Sequence, residues 1–160
     1  MSEVFAATST LIRSFPGMSG YVTQPTGNPG IYLSSAPPQA VMPYIVVNIE
    51  NRICLDTMLV SGISSGSPSP FSGYYLQDLQ QAMLNLGIYI SGRDERPLSQ
   101  IRNIIAANMD RNILPFDGPF QSIGCKSDHE IGPLRPMQWL WQHNMYYKIL
   151  WNESFPSSGS

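Results

Sequence analysis

Residues 137–151 read MQWLWQHNMYYKILW, and their parity decides the fold. Met137, Trp139, Trp141, His143, Met145, Tyr147, Ile149 and Trp151 share one parity, while Gln138, Gln142, Asn144, Lys148 and, just beyond, Asn152 occupy the other. Such alternation is the pattern of a β-strand with one buried face. A strand of this length would span roughly 50 Å at about 3.3 Å per residue, about two to three times an ordinary strand. It must therefore bend, carry a bulge or run past its own domain. All three tryptophans lie on its apolar face. Covering that much aromatic surface needs an opposing layer, which the chain supplies only in part if the strand outruns its sheet. A neighbouring subunit is the natural source of the rest.

Upstream, Leu84, Leu86, Ile88 and Ile90 alternate with Asn85, Gly87, Tyr89 and Ser91, a second strand into which Gln77–Met83 leads. Tyr44–Glu50 is β-branched and aromatic, and it is entered through Pro43, so it reads as a buried strand. Cys54–Val60 is expected as its hairpin partner, with Asn51-Arg52 near the turn. After Asp94-Glu95-Arg96-Pro97 the period changes to that of a helix, carried by Leu98, Ile101, Ile105, Met109 and Ile113 and ended by Asn112 or Pro115. A first helix starts at Ser2, follows Val4, Phe5, Thr8, Leu11, Ile12 and Phe15, and stops at Pro16-Gly17. Between it and the first long strand, Gly20–Pro43 is rich in proline and glycine and predicts a long irregular segment with at most a short strand at Ile31–Leu33. Phe120–Cys125 and Glu130–Leu134 read as short strands. Ser61–Gly73, SGISSGSPSPFSG, is either a plain linker or a functional arm.

The order predicts an α+β fold, a mostly antiparallel β-sheet with two helices packed on one face and long loops. Residues 1–155 are expected to form one domain and residues 156–160 a flexible tail. Tyr44–Val47, Leu84–Ile90, Ile101, Ile105 and Met109 are the expected core.

Charged residues make up 12% of the chain, about half the usual share. Apart from tyrosine, no titratable side chain occurs from Ser14 to Ile49 or from Thr57 to Gln77. Neutral stretches of this kind suit contact surfaces, where desolvating charge costs most, and they equally suit neutral flexible loops. The net charge of −2 argues against sequence-independent binding to a phosphate backbone. Seven of the nine basic residues are arginines, scattered from Arg13 to Arg135, which fits single ion pairs better than a basic stripe. A channel wall past which DNA moves remains compatible with this balance.

Cys54 and Cys125 are far apart and outside any CxxC pattern, so a reducing compartment is the default. The N-terminus lacks the basic and apolar regions of a secretory signal, and no apolar run approaches membrane-spanning length. A soluble protein made in a cytoplasm is expected. Cys125, Asp128, His129 and Glu130 are the one cluster with catalytic or metal-binding residue types, but their spacing fits no zinc motif, and a polar hairpin turn is the simpler reading. His143, in the middle of the aromatic face, reads as a packed histidine. There is no P-loop, GxGxxG, GxSxG or HExxH motif. No catalytic residue, cofactor or metal is therefore assigned. Tryptophan and tyrosine faces also stack on sugars, yet a whole apolar strand face is more easily core plus interface than a carbohydrate platform.

The layout resembles that of the tail terminator, or tail-completion, proteins of long-tailed bacteriophages. In that family a leading helix is followed by a proline-containing loop, a strand entered as Pro-Tyr-Val-Val, a hairpin, a strand running into the main helix, and a final strand. The matching pieces are Val4–Phe15, Ala36-Pro37-Pro38, Pro43-Tyr44-Ile45-Val46-Val47, Leu84–Ile90 into Leu98–Asn112, and Trp139–Trp151. Ser61–Gly73, Phe116–Pro136 and the aromatic strand depart from the family pattern. The resemblance implies a structural virion protein, commonly a hexameric ring, that caps the tail tube, stops its growth and joins it to the neck. Its partners would be copies of itself, the tube protein and a neck or head-completion protein, with DNA passing through the lumen and no membrane or sequence-specific nucleic acid involved. A head-closure ring or tube component is the near alternative, and a small enzyme or sugar-binding module the distant one. On the ring reading, Ser64, Pro68, Pro70, Phe71, Tyr74, Trp139, Trp141, Tyr147 and Trp151 are the expected oligomer interface.

Overall fold

Period-two alternation along this chain builds one five-stranded sheet, in a computed structural model that describes residues 2–22, 30–61, 74–116 and 120–156. In chain order the elements are α1 (Ser2–Ser14), the single turn α2 (Ser19–Val22), β1 (Ile31–Leu33), β2 (Tyr44–Ser61), β3 (Tyr74–Ser91), α3 (Arg96–Met109), β4 (Phe120–Met137) and β5 (Leu140–Pro156). The strand order is β1-β2-β3-β5-β4. Only the β1–β2 pair is parallel. This is the α+β architecture with a mostly antiparallel sheet that the sequence predicts, with α2 as an added helical turn.

Register places the apolar parity of each strand on a single face. Leu84 lies opposite Tyr147, Leu86 opposite Met145 and Ile88 opposite His143, while Ile45 and Val47 of β2 face Ile88 and Leu86. The helices cover that face. Val4, Ile12 and Phe15 of α1 and Leu98, Ile101, Ile105 and Met109 of α3 join the strand residues in one buried cluster. At about 3.6 residues per turn, the spacing of those α3 residues puts them on one side of the helix, as the sequence pattern predicts. Pro97 occupies the first turn of α3, where a missing amide hydrogen is harmless, and the helix ends at Met109, short of the expected Asn112.

Several elements differ from expectation. Asn51-Arg52 is not a hairpin turn, because β2 runs unbroken from Tyr44 to Ser61. The register shifts between Glu50 and Ile53 and again between Cys54 and Asp56, and Asn51 takes a φ of 54°. Asparagine tolerates that left-handed conformation, so a local turn preference is absorbed as a bulge while pairing continues on both sides. Similarly, the expected short strands Phe120–Cys125 and Glu130–Leu134 are parts of one strand, β4, which carries four register shifts against β5. Gln77–Met83 belongs to β3.

The aromatic strand itself starts at Leu140; Met137 closes β4, and Gln138-Trp139 form the turn between them. Its length needs neither a bend nor a neighbour for pairing. β3, at 18 residues, matches it without a register shift from Tyr75 opposite Pro156 to Ser91 opposite Leu140. Pro156, expected to start the loose tail, is thus the last paired residue, and residues 157–160 lie outside the described ones. So do residues 62–73, nearly all of the Ser61–Gly73 tract, whose ends are held by Ser61 opposite Tyr74.

Ile105 is fully buried between α3 and the sheet. Ile105→Ala is expected to cost about 2–5 kcal/mol in a denaturant titration. Ile105→Asp places an unpaired charge there and is expected to abolish cooperative melting; a soluble, cooperatively melting Asp variant would contradict the assigned core.

Candidate functional site

The polar cluster on β4 does not converge on a reaction centre. Mid-strand alternation sends Cys125 into the core, where burial and, to a lesser degree, Asp110 push its thiol up to about 12. A thiol held protonated in this way is a poor nucleophile. His129 pairs with its neighbour Asp128 and stacks on Tyr146 with centroids 4.2 Å apart. Among the described residues, no group of three His, Cys, Asp or Glu side chains is placed to hold a metal ion.

Glu130 has a different role. Arg102 of α3 donates to both of its oxygens, Nε to Oε1 at 2.7 Å and Nη2 to Oε2 at 2.6 Å, and His143 Nε2 of β5 lies 2.9 Å from Oε1. One carboxylate thereby joins a helix, an edge strand and the strand beside it. The Arg102 hydrogen bonds hold Glu130 down at about 2 against the opposing effect of its partial burial, with His143 adding to the lowering. Close approach at this point explains Gly132, whose φ is 136° and where a Cβ would come within 2.8 Å of His143 Nδ1.

The aromatic face divides. Tyr147 and Trp151 are 2% and 0% exposed and belong to the chain's own core, which corrects the expectation that they meet a neighbour. The helices supply the opposing layer that the long strand requires. Arg52 and Glu153 close over Trp151, the Arg52 guanidinium 5.7 Å from the ring centroid and Glu153 accepting from the indole nitrogen at 3.0 Å. Trp141 is half-buried beneath Arg135, whose guanidinium carbon sits 4.7 Å from the ring centroid. Trp139, in the β4–β5 turn, is 54% exposed. A sugar platform made of the three tryptophans is therefore not assembled. Tyr74 begins β3, and Ser64, Pro68, Pro70 and Phe71 fall outside the described residues.

What the sequence pattern missed are two exposed apolar corners. β1 covers β2 only from Ile45 to Val47, and further along the same strand Ile53, Leu55 and Met58 lie exposed. On the opposite edge, the segment after α3 meets β4 at Cys125 through the Arg111 and Cys125 amides, while Ile131, Leu134 and Met137 lie exposed further along the strand, toward the turn that holds Trp139. Both corners sit in strands whose bulges had read as turns, so their continuity with the sheet was hidden. Near the second corner a cavity of about 660 Å³ is lined by Arg93, Arg135, Pro136, Met137 and Gln138.

The fold has a likeness among solved structures. A chain described as "Virion of native gene transfer agent (GTA) particle" superposes with a TM-score of 0.62 over 94% of this chain and 96% of its own, at 6% sequence identity. The likeness is one of fold. No protein-family profile matches the sequence, and no curated protein matches it.

The Glu130 lock predicts a pH dependence of stability. The folded protein keeps this carboxylate ionised to about pH 2, whereas the unfolded chain protonates it near 4.5, so the contribution is complete above 4.5 and fades as pH falls toward 2. Glu130→Gln is expected to be less stable than wild type at neutral pH and to converge on it in acid. Denaturant titrations across that range check this; a constant difference at every pH would mean that the charge plays no part.

Proposed function

We propose that this chain is a structural protein of a phage-like virion, a tail terminator whose copies close into a ring, commonly of six, on the tail tube and join it to the neck. The observation that carries the proposal is the fold shared along nearly the whole of both chains with a component of a virion particle. The order of elements along the sequence supports the same assignment. Physical features agree with it. A closed ring of identical subunits uses heterologous contacts, each copy presenting two different surfaces. The two exposed apolar corners, on opposite edges of the sheet, are two such surfaces. Long neutral stretches lower the desolvation cost of burying further surface.

On this reading the protein is made in the host cytoplasm and resides in the virion, at the tail or neck. It acts as a joint, with the tube protein below, a neck or head-completion protein above, and DNA passing through the lumen. Neither catalysis nor a cofactor is part of the role.

The mass of the purified protein across a concentration series, by light scattering or mass photometry, tests the proposal. The expected outcome is a discrete ring, or a monomer that closes into one when tube protein is added. A ring that binds neck protein but ignores tube protein would move the assignment to a head-closure joint. A strict monomer with a melting temperature raised by sugars would favour a binding module instead.

A further inference from the structure

The two exposed corners carry opposite charge. On the outer edge of β2, Asp56 is exposed among Ile53, Leu55 and Met58. Its Oδ1 accepts from the Thr57 amide at 2.8 Å, and the Thr57 hydroxyl donates to Asp78 Oδ1 at 2.7 Å. Among the described residues neither carboxylate is in an ion pair, since Arg52 nearby is paired with Glu153.

At the diagonal corner the cavity between the β3–α3 loop and the β4–β5 turn presents Arg93 and Arg135. Arg135 is already positioned: its Nε and Nη2 donate to the Gln138 carbonyl and its guanidinium lies over Trp141. Its Nη1 is left without a partner among the described residues. Asp94 does not neutralise the pair, because Arg96 engages it at 2.8 Å. Met137, which lines the cavity, and Trp139 in the adjoining turn lie exposed.

Within one chain these corners cannot meet. Asp56 pairs with Leu79 and Trp141 with Ile90, so the corners are separated along β3 by about 36 Å at ~3.3 Å per residue, and they flank opposite edges of the sheet. We propose that the occupant of the Arg93–Arg135 cavity is a second copy of this chain, whose Asp56 enters it while Ile53, Leu55 and Met58 cover the apolar side chains beside it. The inference rests on the ring reading and names the two faces that meet. Arginine offers a carboxylate paired, charge-assisted hydrogen bonds, and the apolar flank favours a protein segment over a phosphate chain. A net charge of −2 points the same way. Because the two faces differ, the contact runs head to tail and each copy uses both.

Charge reversal tests this, with mass photometry as the readout and cooperative melting as the control for folding. One variant is Asp56→Arg; the other combines Arg93→Glu with Arg135→Glu, and Arg93→Glu alone serves if the pair disturbs Trp141. Each variant by itself sets like charges opposite one another and is expected to self-associate at least about tenfold more weakly than wild type. Mixed together they should reassemble, since every contact between unlike variants again faces arginine with carboxylate. Wild-type assembly that neither reversal weakens would overturn the inference and leave the ring reading standing. So would a mixture as dissociated as its components. A wild-type chain that stays monomeric at every concentration and with tube protein would overturn both. Binding of a short DNA duplex that the arginine reversals abolish, with assembly unchanged, would give the cavity to phosphate instead.

Discussion

The unbroken pairing of β3 with β5 is the constraint on which the other features depend. From Tyr75 opposite Pro156 to Ser91 opposite Leu140 there is no register shift, so a single parity choice settles which side chains of the two central strands face the helices. A slip by one residue would exchange Leu84, Leu86, Tyr147 and Ile149 for Asn85, Gly87, Tyr146 and Lys148. The apolar area of the first set makes that exchange prohibitive. α1 and α3 can then dock only on the face where Trp151, Tyr147 and Met145 are presented.

The outer strands accommodate what the central pair does not. β2 shifts register twice and β4 four times. Each bulge adds local twist and spoils the flat edge that promotes uncontrolled strand addition. Exposed apolar residues are nevertheless retained near the bulges, at Ile53, Leu55 and Met58 and at Ile131, Leu134 and Met137. Contiguous apolar surface of this kind is what a protein contact covers. The Arg102–Glu130–His143 linkage complements this arrangement by anchoring β4, the edge strand with the most irregular register, to α3 and β5. Arg102 and Glu130 keep about a third of their side-chain surface in water, so the linkage contributes more by fixing geometry than by raw Coulomb energy.

The open face of the sheet shows how the chain dispenses with a second covering layer. Tyr44 stacks on Tyr89 at 5.2 Å and meets Tyr32 edge-on at 5.7 Å, while Gln142 donates to the Tyr89 hydroxyl at 3.0 Å. The rings cover each other, and the Tyr89 ring lies close over Gly87, whose missing side chain leaves room for it. Burial raises the Tyr44 and Tyr89 hydroxyls above their ordinary values.

Sequence alone determined the elements whose periodicity is strong and local: the alternating Leu84–Ile90 segment, the aromatic strand, read from Met137 and found from Leu140, and the apolar side of α3 at Leu98, Ile101, Ile105 and Met109. Period is a property of neighbouring residues, so it needs no knowledge of partners. Tertiary structure decided the rest. Asn51-Arg52 and Asp128-His129 have turn-forming residue types, but long paired strands kept the chain within the sheet and converted turn preference into bulges. Whether Trp139, Trp141, Tyr147 or Trp151 meets solvent depends on where the helices end above the sheet, and Arg93 and Arg135 come together only because the β3–α3 loop is tied to the β4–β5 turn by the Gly92 amide. Those outcomes are set by register and packing between segments distant in the chain, which no local pattern encodes.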